Sequence, residues 1–157
     1  MGVTTTAIRP MTLDDLGEVV TMETSHQPRP WSEQVFRDEL GAENRVYLVA
    51  EDGGVVGFGG VLVIVDEAHV TNLLVDRDYR NRGIGQKLMV ALISEALRRG
   101  ARHLTLEVRK ENAAARKLYS RLGMAPVGVR PGYYGDDDAI ILWAHDIDAP
   151  GFLEGLG

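Results

Sequence analysis

Several residues that could bind an anion lie close together in one short segment, residues 80–85. This segment contains two arginines and two glycines. The segment lies between an apolar, β-branched run at 70–75 and a periodic helical run at 86–99. Glycine lets a ligand approach the backbone, and the first N–H groups of a helix have no partner within it. Because the helix dipole also attracts negative charge, this strand-loop-helix segment predicts a phosphate or pyrophosphate site. A plain β-to-α turn is the alternative for the two glycines alone.

Glu107 is a candidate general base. It lies near the end of a predicted strand at 101–108, on the face opposite Leu104 and Leu106. This strand is expected to pair in parallel with residues 70–75, and ligands bind at the carboxyl ends of such strands. Apolar neighbours are expected to raise the pKa of the Glu107 carboxyl towards the working pH, which suits proton removal. A strand-end glutamate that faces water is the alternative.

Tyr119 is a candidate general acid. It lies with Ala115, Leu118 and Leu122 on one helical stripe, a pattern that is also typical of a core tyrosine. A phenol has a pKa of about 10, so Tyr119 would keep its proton at neutral pH and could donate it. Asn112 directly precedes this helix and is predicted as its N-cap, from where it could also contact a cofactor.

The predicted elements that position these residues have a mixed α/β order. Periodicity, caps and Gly/Pro breaks predict strands at 7–9, 46–51, 55–65, 70–75, 101–108, 126–129 and 139–143, and helices after Thr12 and Ser32 and at 86–99 and 113–122. Asp15 is expected to complete a capping box with Thr12, and Trp31 to pack against Phe36. Residues 26–30 contain two prolines and predict a loop.

The topology expected from this order is an antiparallel meander followed by a strand-helix-strand unit. A crossover of that length implies a parallel pair with a right-handed connection. Gly57, Gly59 and Gly60 weaken one strand of the meander and indicate a bulge or a close approach to the backbone.

Composition excludes several classes of protein. The 157 residues are enough for one domain, which is expected at 7–147 between a flexible start at 1–6 and a flexible tail at 148–157. The chain contains no cysteine, so an acyl-cysteine intermediate is excluded and acyl transfer would be direct. No apolar run is long enough to span a membrane and no secretory signal is present, so the expected location is the cytoplasm.

The net charge and the spacing of the histidines limit the kinds of ligand and partner that we expect. The formal net charge of −6 argues against nucleic-acid binding and favours a cationic amine or a basic peptide. His26, His69, His103 and His145 lack the spacing of metal ligands, so we expect them to be structural or surface residues and expect no metal site.

The motif Arg80-x-x-Gly83-x-Gly85, after a strand that ends at Val75 and Asp76, resembles the acyl-coenzyme A signature of the GNAT superfamily of N-acetyltransferases. Segments 106–109, 112–115, 118–123, 30–32, 133–134 and 138–141 resemble the ribosomal-protein alanine N-acetyltransferases, the RimI subfamily. The likeness covers nearly the whole chain. It implies the GNAT α/β fold, in which an antiparallel meander precedes a central parallel strand pair with splayed C-terminal ends and helices cover both faces.

The resemblance also implies roles for individual residues. Glu107 would be the general base, acting directly or through water, and Tyr119 the general acid for the departing coenzyme A thiolate. The residues that would contact acetyl-coenzyme A are Leu73, Leu74, Val75, Asn81, Arg82, Gly83, Ile84, Gly85, Gln86, Asn112 and Tyr119. The resemblance implies that an acceptor groove is lined by Trp31, Tyr133, Tyr134 and Asp138. The acidic residues Asp136, Asp137 and Asp138 could equally form a solvated loop.

The activity that the resemblance implies is direct transfer of acetyl to the α-amine of a protein N-terminus. The favoured acceptor is the alanine N-terminus of small-subunit ribosomal protein S eighteen, modified by a monomer or weak dimer. Relatives of the same fold acetylate broader protein N-termini, a lysine, a polyamine or a small antibiotic, and the acceptor is inferred by analogy.

Two readings from other classes stay open. A dinucleotide-binding module would also place Gly83 and Gly85 at a helix start with an acidic residue, Glu107, about twenty residues on. Against it, Leu88 replaces the third glycine and the antiparallel meander does not fit a doubly wound sheet. A coenzyme A-binding regulator without catalysis would contain the same loop, and Glu107 together with Tyr119 argues against it.

Overall fold

The computed structural model of the protein describes residues 6–156. Its elements follow in the order β1 (Ala7–Pro10), α1 (Leu16–His26), α2 (Glu33–Leu40), β2 (Arg45–Glu51), β3 (Val55–Ile64), β4 (Glu67–Val75), α3 (Ile84–Arg98), β5 (His103–Arg109), α4 (Ala113–Arg121), β6 (Ala125–Arg130), β7 (Ala139–His145) and α5 (Phe152–Gly155). The mixed α/β class is therefore confirmed. The flexible start expected for residues 1–6 falls, apart from Thr6, outside the described residues.

The chain forms two compact units, and β3, β4 and α3 each contribute residues to both. The first unit comprises the residues up to Leu62 together with Thr71–Leu92, and the second comprises Val63–Val70 and the residues from Ile93 onward. The expected domain extent of 7–147 and the flexible tail stay predictions, and α5 lies within that tail. No helix among residues 6–156 is long and apolar enough to cross a membrane.

The first unit contains the antiparallel meander, with the strand order β1-β2-β3-β4. The register shifts between Ala50 and Glu51 of β2, opposite the start of β3, which confirms the bulge expected for the glycine-rich strand. Tyr47 of β2 lies opposite Gly60, and its ring covers that glycine so closely that a Cβ there would overlap it. The expected close approach to the backbone is therefore made by this aromatic ring.

Helices α1 and α2 pack into the core of the first unit. That core contains Met11, Leu16, Val19, Met22, Phe36, Tyr47, Val49, Val55, Phe58 and Leu74. Ser32 accepts a hydrogen bond from the Val35 N–H at 3.2 Å, and the Trp31 and Phe36 ring centroids are 5.3 Å apart, as predicted. Helix α1 includes His26, which the sequence placed in the loop, and ends because Gln27 precedes a proline and takes an extended conformation.

The second unit contains the parallel pair, with the strand order β4-β5-β7-β6. Residues Glu67–His69 of β4 pair in parallel with His103–Thr105 of β5, which confirms the predicted parallel pairing. Strand β5 pairs antiparallel with β7, and β7 with β6. Along β5, Leu104, Leu106 and Val108 are buried and the intervening residues are less so, which confirms the predicted alternation.

Candidate active site

In the first unit, the loop between β4 and α3 has the geometry of an anion site. Gly83 takes a positive φ of +78°, which favours glycine, and α3 begins at the next residue. In the first turn of this helix, the Lys87 N–H donates to the Gly83 carbonyl at 3.0 Å. The N–H groups of Ile84 and Gly85 therefore precede the intrahelical ladder and face the loop end of the helix, where the dipole is positive.

The two arginines of this loop are anchored to it. The Arg80 Nε donates to the Val75 carbonyl at 3.2 Å, and the Arg82 guanidinium lies 4.9 Å from the centre of the Tyr79 ring. A cation above an aromatic face is stabilised by the ring quadrupole. Both positive charges therefore stay at the loop that precedes α3, where they favour an anionic ligand.

The end of β4 offers backbone groups to an extended ligand. The Asp76 N–H donates to the Val56 carbonyl of β3 at 2.9 Å, and the Leu74 carbonyl faces β3 as well. Because backbone groups alternate between the two edges of a strand, Leu73 and Val75 direct theirs away from β3. Within residues 6–156, the buried side-chain oxygen that lacks a hydrogen-bond partner is Asn72 Oδ1, to which a ligand N–H could donate.

These features of the first unit fit one kind of ligand. Strand-edge N–H and C=O groups pair with an extended chain that contains amides, as in peptide recognition by strand addition. The amides of Ile84 and Gly85 and the two arginines suit a pyrophosphate. The predicted cofactor residues 73–75 and 81–86 therefore form two adjoining parts of one continuous segment, and their role in binding stays a prediction.

In the second unit, Glu107 is paired with a histidine. His69 Nε2 lies 3.0 Å from Glu107 Oε1, and the glutamate side chain is 11% exposed. This hydrogen bond lowers the pKa of Glu107 below its usual value against the opposing effect of burial, and the charge of Arg130 and the hydroxyl of Tyr133 lower it further. The expected rise of this pKa is therefore wrong, because the apolar residues of β5 are outweighed by an imidazole on the neighbouring strand.

The histidine spacing predicted that His69 is a structural or surface residue. In the structure, however, it contacts Glu107, the candidate base. His69 lies opposite Thr105 in the parallel ladder, and Glu107 is two residues further along the same face of β5. Diagonal pairs of this kind are within reach of long side chains. Only the register between two strands that are far apart in sequence could have revealed the pair.

Tyr119 is buried on α4, as its stripe of apolar neighbours predicts. Burial raises the pKa of its phenol above the usual value, and the Tyr134 phenol raises it further. The hydroxyl therefore remains protonated at any neutral pH. This is the state that a general acid requires, and the assignment of that role stays a prediction.

Tyr133 and Tyr134 form an aromatic pair beside Glu107. Their ring centroids are 5.0 Å apart with an edge-to-face geometry, and the Arg109 guanidinium lies 4.5 Å from the centre of the Tyr134 ring. Burial and the nearby Tyr133 and Glu107 raise the pKa of Tyr134 to about 12. The second unit thus brings four residues together: His69, Glu107, Tyr133 and Tyr134.

The side chains of three other candidates are engaged in local structure. Asp138 Oδ1 accepts from the Gly132 N–H at 2.8 Å and so closes the loop before β7. Asn112 Oδ1 accepts from the Ala115 N–H at 3.1 Å, which makes it the N-cap of α4 as predicted. Trp31 lies in the first unit against Phe36. Across residues 6–156, no group of three or more His, Cys, Asp or Glu side chains is arranged to hold a metal ion.

Comparison with known sequences identifies related proteins. The family described as the acetyltransferase (GNAT) family matches residues 13–124. The ribosomal protein bS18-alanine N-acetyltransferase of Escherichia coli is 37% identical over 132 residues, which covers 82% of this chain and 89% of that protein.

Solved structures agree with this result. The crystal structure of the Escherichia coli ribosomal-protein-alanine N-acetyltransferase matches with a TM-score of 0.81 and 34% identity, covering 90% of this chain and 94% of that one. The structure of the protein yncA from Salmonella typhimurium with its cofactor acetyl-CoA matches with a TM-score of 0.79 at 19% identity, covering 90% and 94%. The second match shows a common fold alone.

Proposed function

The chain belongs to the acetyltransferase (GNAT) family, and from this membership we propose that it transfers acetyl from acetyl-CoA to the α-amine of a protein N-terminus. The observation that carries the proposal is the position of the Glu107 carboxylate, whose side chain is 11% exposed and lies beside Tyr133 and Tyr134. The lowered pKa keeps this carboxylate ionised at neutral pH but makes it a weaker base, so its proposed contribution comes from its position next to the substrate ammonium. The favoured acceptor is the alanine N-terminus of ribosomal protein bS18, because the relative of that name matches over most of its length.

The first unit would bind acetyl-CoA. The edge groups of Leu73 and the N–H of Val75, whose carbonyl already accepts from Arg80, would pair with the amides of its pantetheine arm, and the amides of residues 81–86 would bind its pyrophosphate. An N–H of this strand would also stabilise negative charge on the thioester oxygen. When bound, acetyl-CoA supplies an activated acetyl group, which an amine can accept without an acyl-enzyme intermediate.

Glu107 and Tyr119 would move the protons. An α-amine has a pKa of about 8 and attacks only when neutral, so a positioned base contributes about 10²–10⁴-fold. Glu107 would accept this proton, directly or through one water. Tyr119 would donate its phenolic proton to the sulfur that leaves, and its raised pKa favours taking the proton back from the solvent afterwards.

Recognition of the acceptor is assigned to the aromatic residues. Tyr133 and Tyr134 present large, rigid surfaces beside Glu107, and aromatic side chains in loops commonly bind peptides. Trp31 is proposed to contribute from the loop before α2, and Asp138 through the loop that it closes. A ribosomal substrate would place the reaction in the cytoplasm, with the protein acting as a monomer or weak dimer.

Mass spectrometry of acetyl transfer to a peptide panel tests the proposal. The panel compares peptides with a free alanine N-terminus, including the bS18 sequence, with N-terminally blocked peptides that contain lysine. Modification of the free N-termini alone, with preference for the bS18 sequence, is the expected result. Labelling of lysine alone would move the activity to another acceptor. Absence of transfer to any peptide amine would overturn the proposal.

A further inference from the structure

The contact between His69 and Glu107 has a defined direction. An ionised carboxylate can only accept hydrogen bonds, so the proton between His69 Nε2 and Glu107 Oε1 belongs to the imidazole. At 3.0 Å the bond engages Oε1, and the hydroxyl of Tyr133 also acts on this carboxylate as a hydrogen-bond donor. His69 is therefore in the Nε2–H tautomer when it is neutral.

The surroundings of Glu107 make this donor important. Its side chain is 11% exposed, so its solvation by water is limited and burial opposes ionisation. The other charged or titratable groups that act on it are Arg130 of β6 and the tyrosines 133 and 134 of the loop before β7. His69 comes from β4 and is the side chain whose bond to the carboxylate has the largest effect.

We propose that His69 is a positioning residue for the acetyl-transfer reaction: its Nε2–H holds Oε1 of Glu107 and so fixes the orientation in which the carboxylate meets the substrate ammonium. This inference rests on the proposed function. The proton that leaves the ammonium goes to Glu107, while His69 keeps its own proton throughout. A misplaced carboxylate loses much of the advantage of a fixed base, because proton transfer depends on geometry.

Two substitutions test whether His69 acts as a hydrogen-bond donor or only contributes to packing. His69→Leu keeps a similar volume and removes the donor, whereas His69→Gln places an amide N–H where Nε2 stood. With saturating acetyl-CoA and a peptide acceptor, kcat of His69→Leu is expected to fall about tenfold or more. His69→Gln should recover most of kcat, and KM for acetyl-CoA should stay unchanged in both. Wild-type kcat in His69→Leu, or equal losses in both variants, would overturn the proposal.

His145→Leu serves as a matched control. His145 lies on β7 with its ring stacked on Trp143, at 5.4 Å between centroids, and it has no role in the proposed site. The same chemical change there is expected to leave kcat at the wild-type value.

An NMR titration tests the pair without any reference to turnover. The side-chain carbon of Glu107 should titrate at a lower pH in the wild type than in His69→Leu, because burial is then unopposed by the imidazole donor. Nitrogen shifts of His69 should show a proton on Nε2. Equal titration in the two proteins, or the Nδ1–H tautomer, would refute the positioning role. If the wild type acetylates no peptide, the proposed function fails, and this titration still decides whether the pair exists.

Discussion

The backbone N–H of Trp31 donates a 2.9 Å hydrogen bond to Glu23 Oε2. Glu23 is buried on α1, and burial raises the pKa of its carboxyl while this bond partly lowers it. The Trp31 ring also contacts Phe36 of α2. The loop before α2, which carries a proposed acceptor residue, is thus attached to both neighbouring helices.

Replacing Glu23 should loosen this loop. Glu23→Ala leaves the Trp31 N–H without its acceptor, at a cost of about 1–3 kcal/mol in the free energy of unfolding. KM for the acceptor peptide should rise several-fold, while KM for acetyl-CoA stays constant. Glu23→Gln retains an acceptor oxygen and should behave like the wild type. A folded Glu23→Ala protein with unchanged peptide KM would contradict the assignment of Trp31.

Glu107→Gln should remove the base while keeping the shape of its side chain. Turnover is expected to fall by about 10²–10⁴-fold, the usual contribution of a positioned base. Calorimetric affinity for acetyl-CoA should stay within a few-fold of the wild type. Normal turnover would exclude Glu107 as the base.

Tyr119→Phe tests the general acid. The change removes only the phenolic oxygen, so the packing of the ring is preserved and acetyl-CoA affinity should change little. Steady-state kcat should fall strongly, since nothing then protonates the leaving sulfur in its place. Thermal unfolding checks that the variant is folded, and an undiminished kcat would assign Tyr119 to the core alone.

Gly83→Trp should abolish acetyl-CoA binding, measured by calorimetry. Gly83 and Gly53 both have positive φ values, +78° and +74°, and neither would place a Cβ within 4 Å of another group. Each substitution therefore strains the backbone similarly, by about 1–2 kcal/mol. Gly53 lies in the turn between β2 and β3, so Gly53→Trp is the matched control and should still bind. Equal affinity in the two variants would refute the loop as the pyrophosphate site.

Asp15 should make stability depend on pH. Both of its oxygens accept hydrogen bonds from Arg9 at 2.8 Å, and this pairing lowers the pKa of the carboxyl in the folded protein. The stabilisation is complete above the unfolded pKa of about 3.9 and is lost as the pH falls through the lower folded value.

Urea unfolding measures this effect. Asp15→Asn is expected to cost about 1.5–3 kcal/mol at neutral pH, the usual contribution of hydrogen bonds to a charged group. The difference from the wild type should shrink as the pH falls through the lowered pKa of folded Asp15, because below it the carboxyl is protonated in the folded and the unfolded protein. Glu33→Gln breaks an exposed ion pair with Arg37 and should change stability by no more than about 0.5 kcal/mol at neutral or acidic pH. A pH-independent cost of Asp15→Asn would contradict this account.

Local features of this protein were predictable because they depend on neighbours in sequence. Ser32 and Asn112 cap their helices as expected, and the buried alternation of β5 follows from its period of two. The strand-loop-helix segment around Gly83 belongs to the same class, since turn, glycine and helix start are contiguous. The roles of its residues in binding a cofactor stay predictions.

Side-chain contacts that depend on the exact register between two strands were not predictable, although the strand pairing itself was. His69 and Glu107 are 38 residues apart, and the sequence around either residue does not indicate that they are in contact. The predicted direction of the Glu107 pKa shift was wrong for this reason. The sequence shows the apolar neighbours of Glu107 along its own strand, but it does not show that His69 donates to it from the neighbouring strand. The sequence likewise showed a weak point at Gly60 without showing that Tyr47 fills it.

The pairing of Tyr47 with Gly60 favours the native register of β2 and β3 over shifted ones. A slip of two residues keeps the same faces of β2 and β3 together, so hydrophobic patterning alone would tolerate it. Such a slip would press the tyrosine ring against Phe58 or Leu62 instead of a bare backbone. Misregistered hairpins would therefore be crowded, and position 60 can gain a side chain only if position 47 becomes smaller.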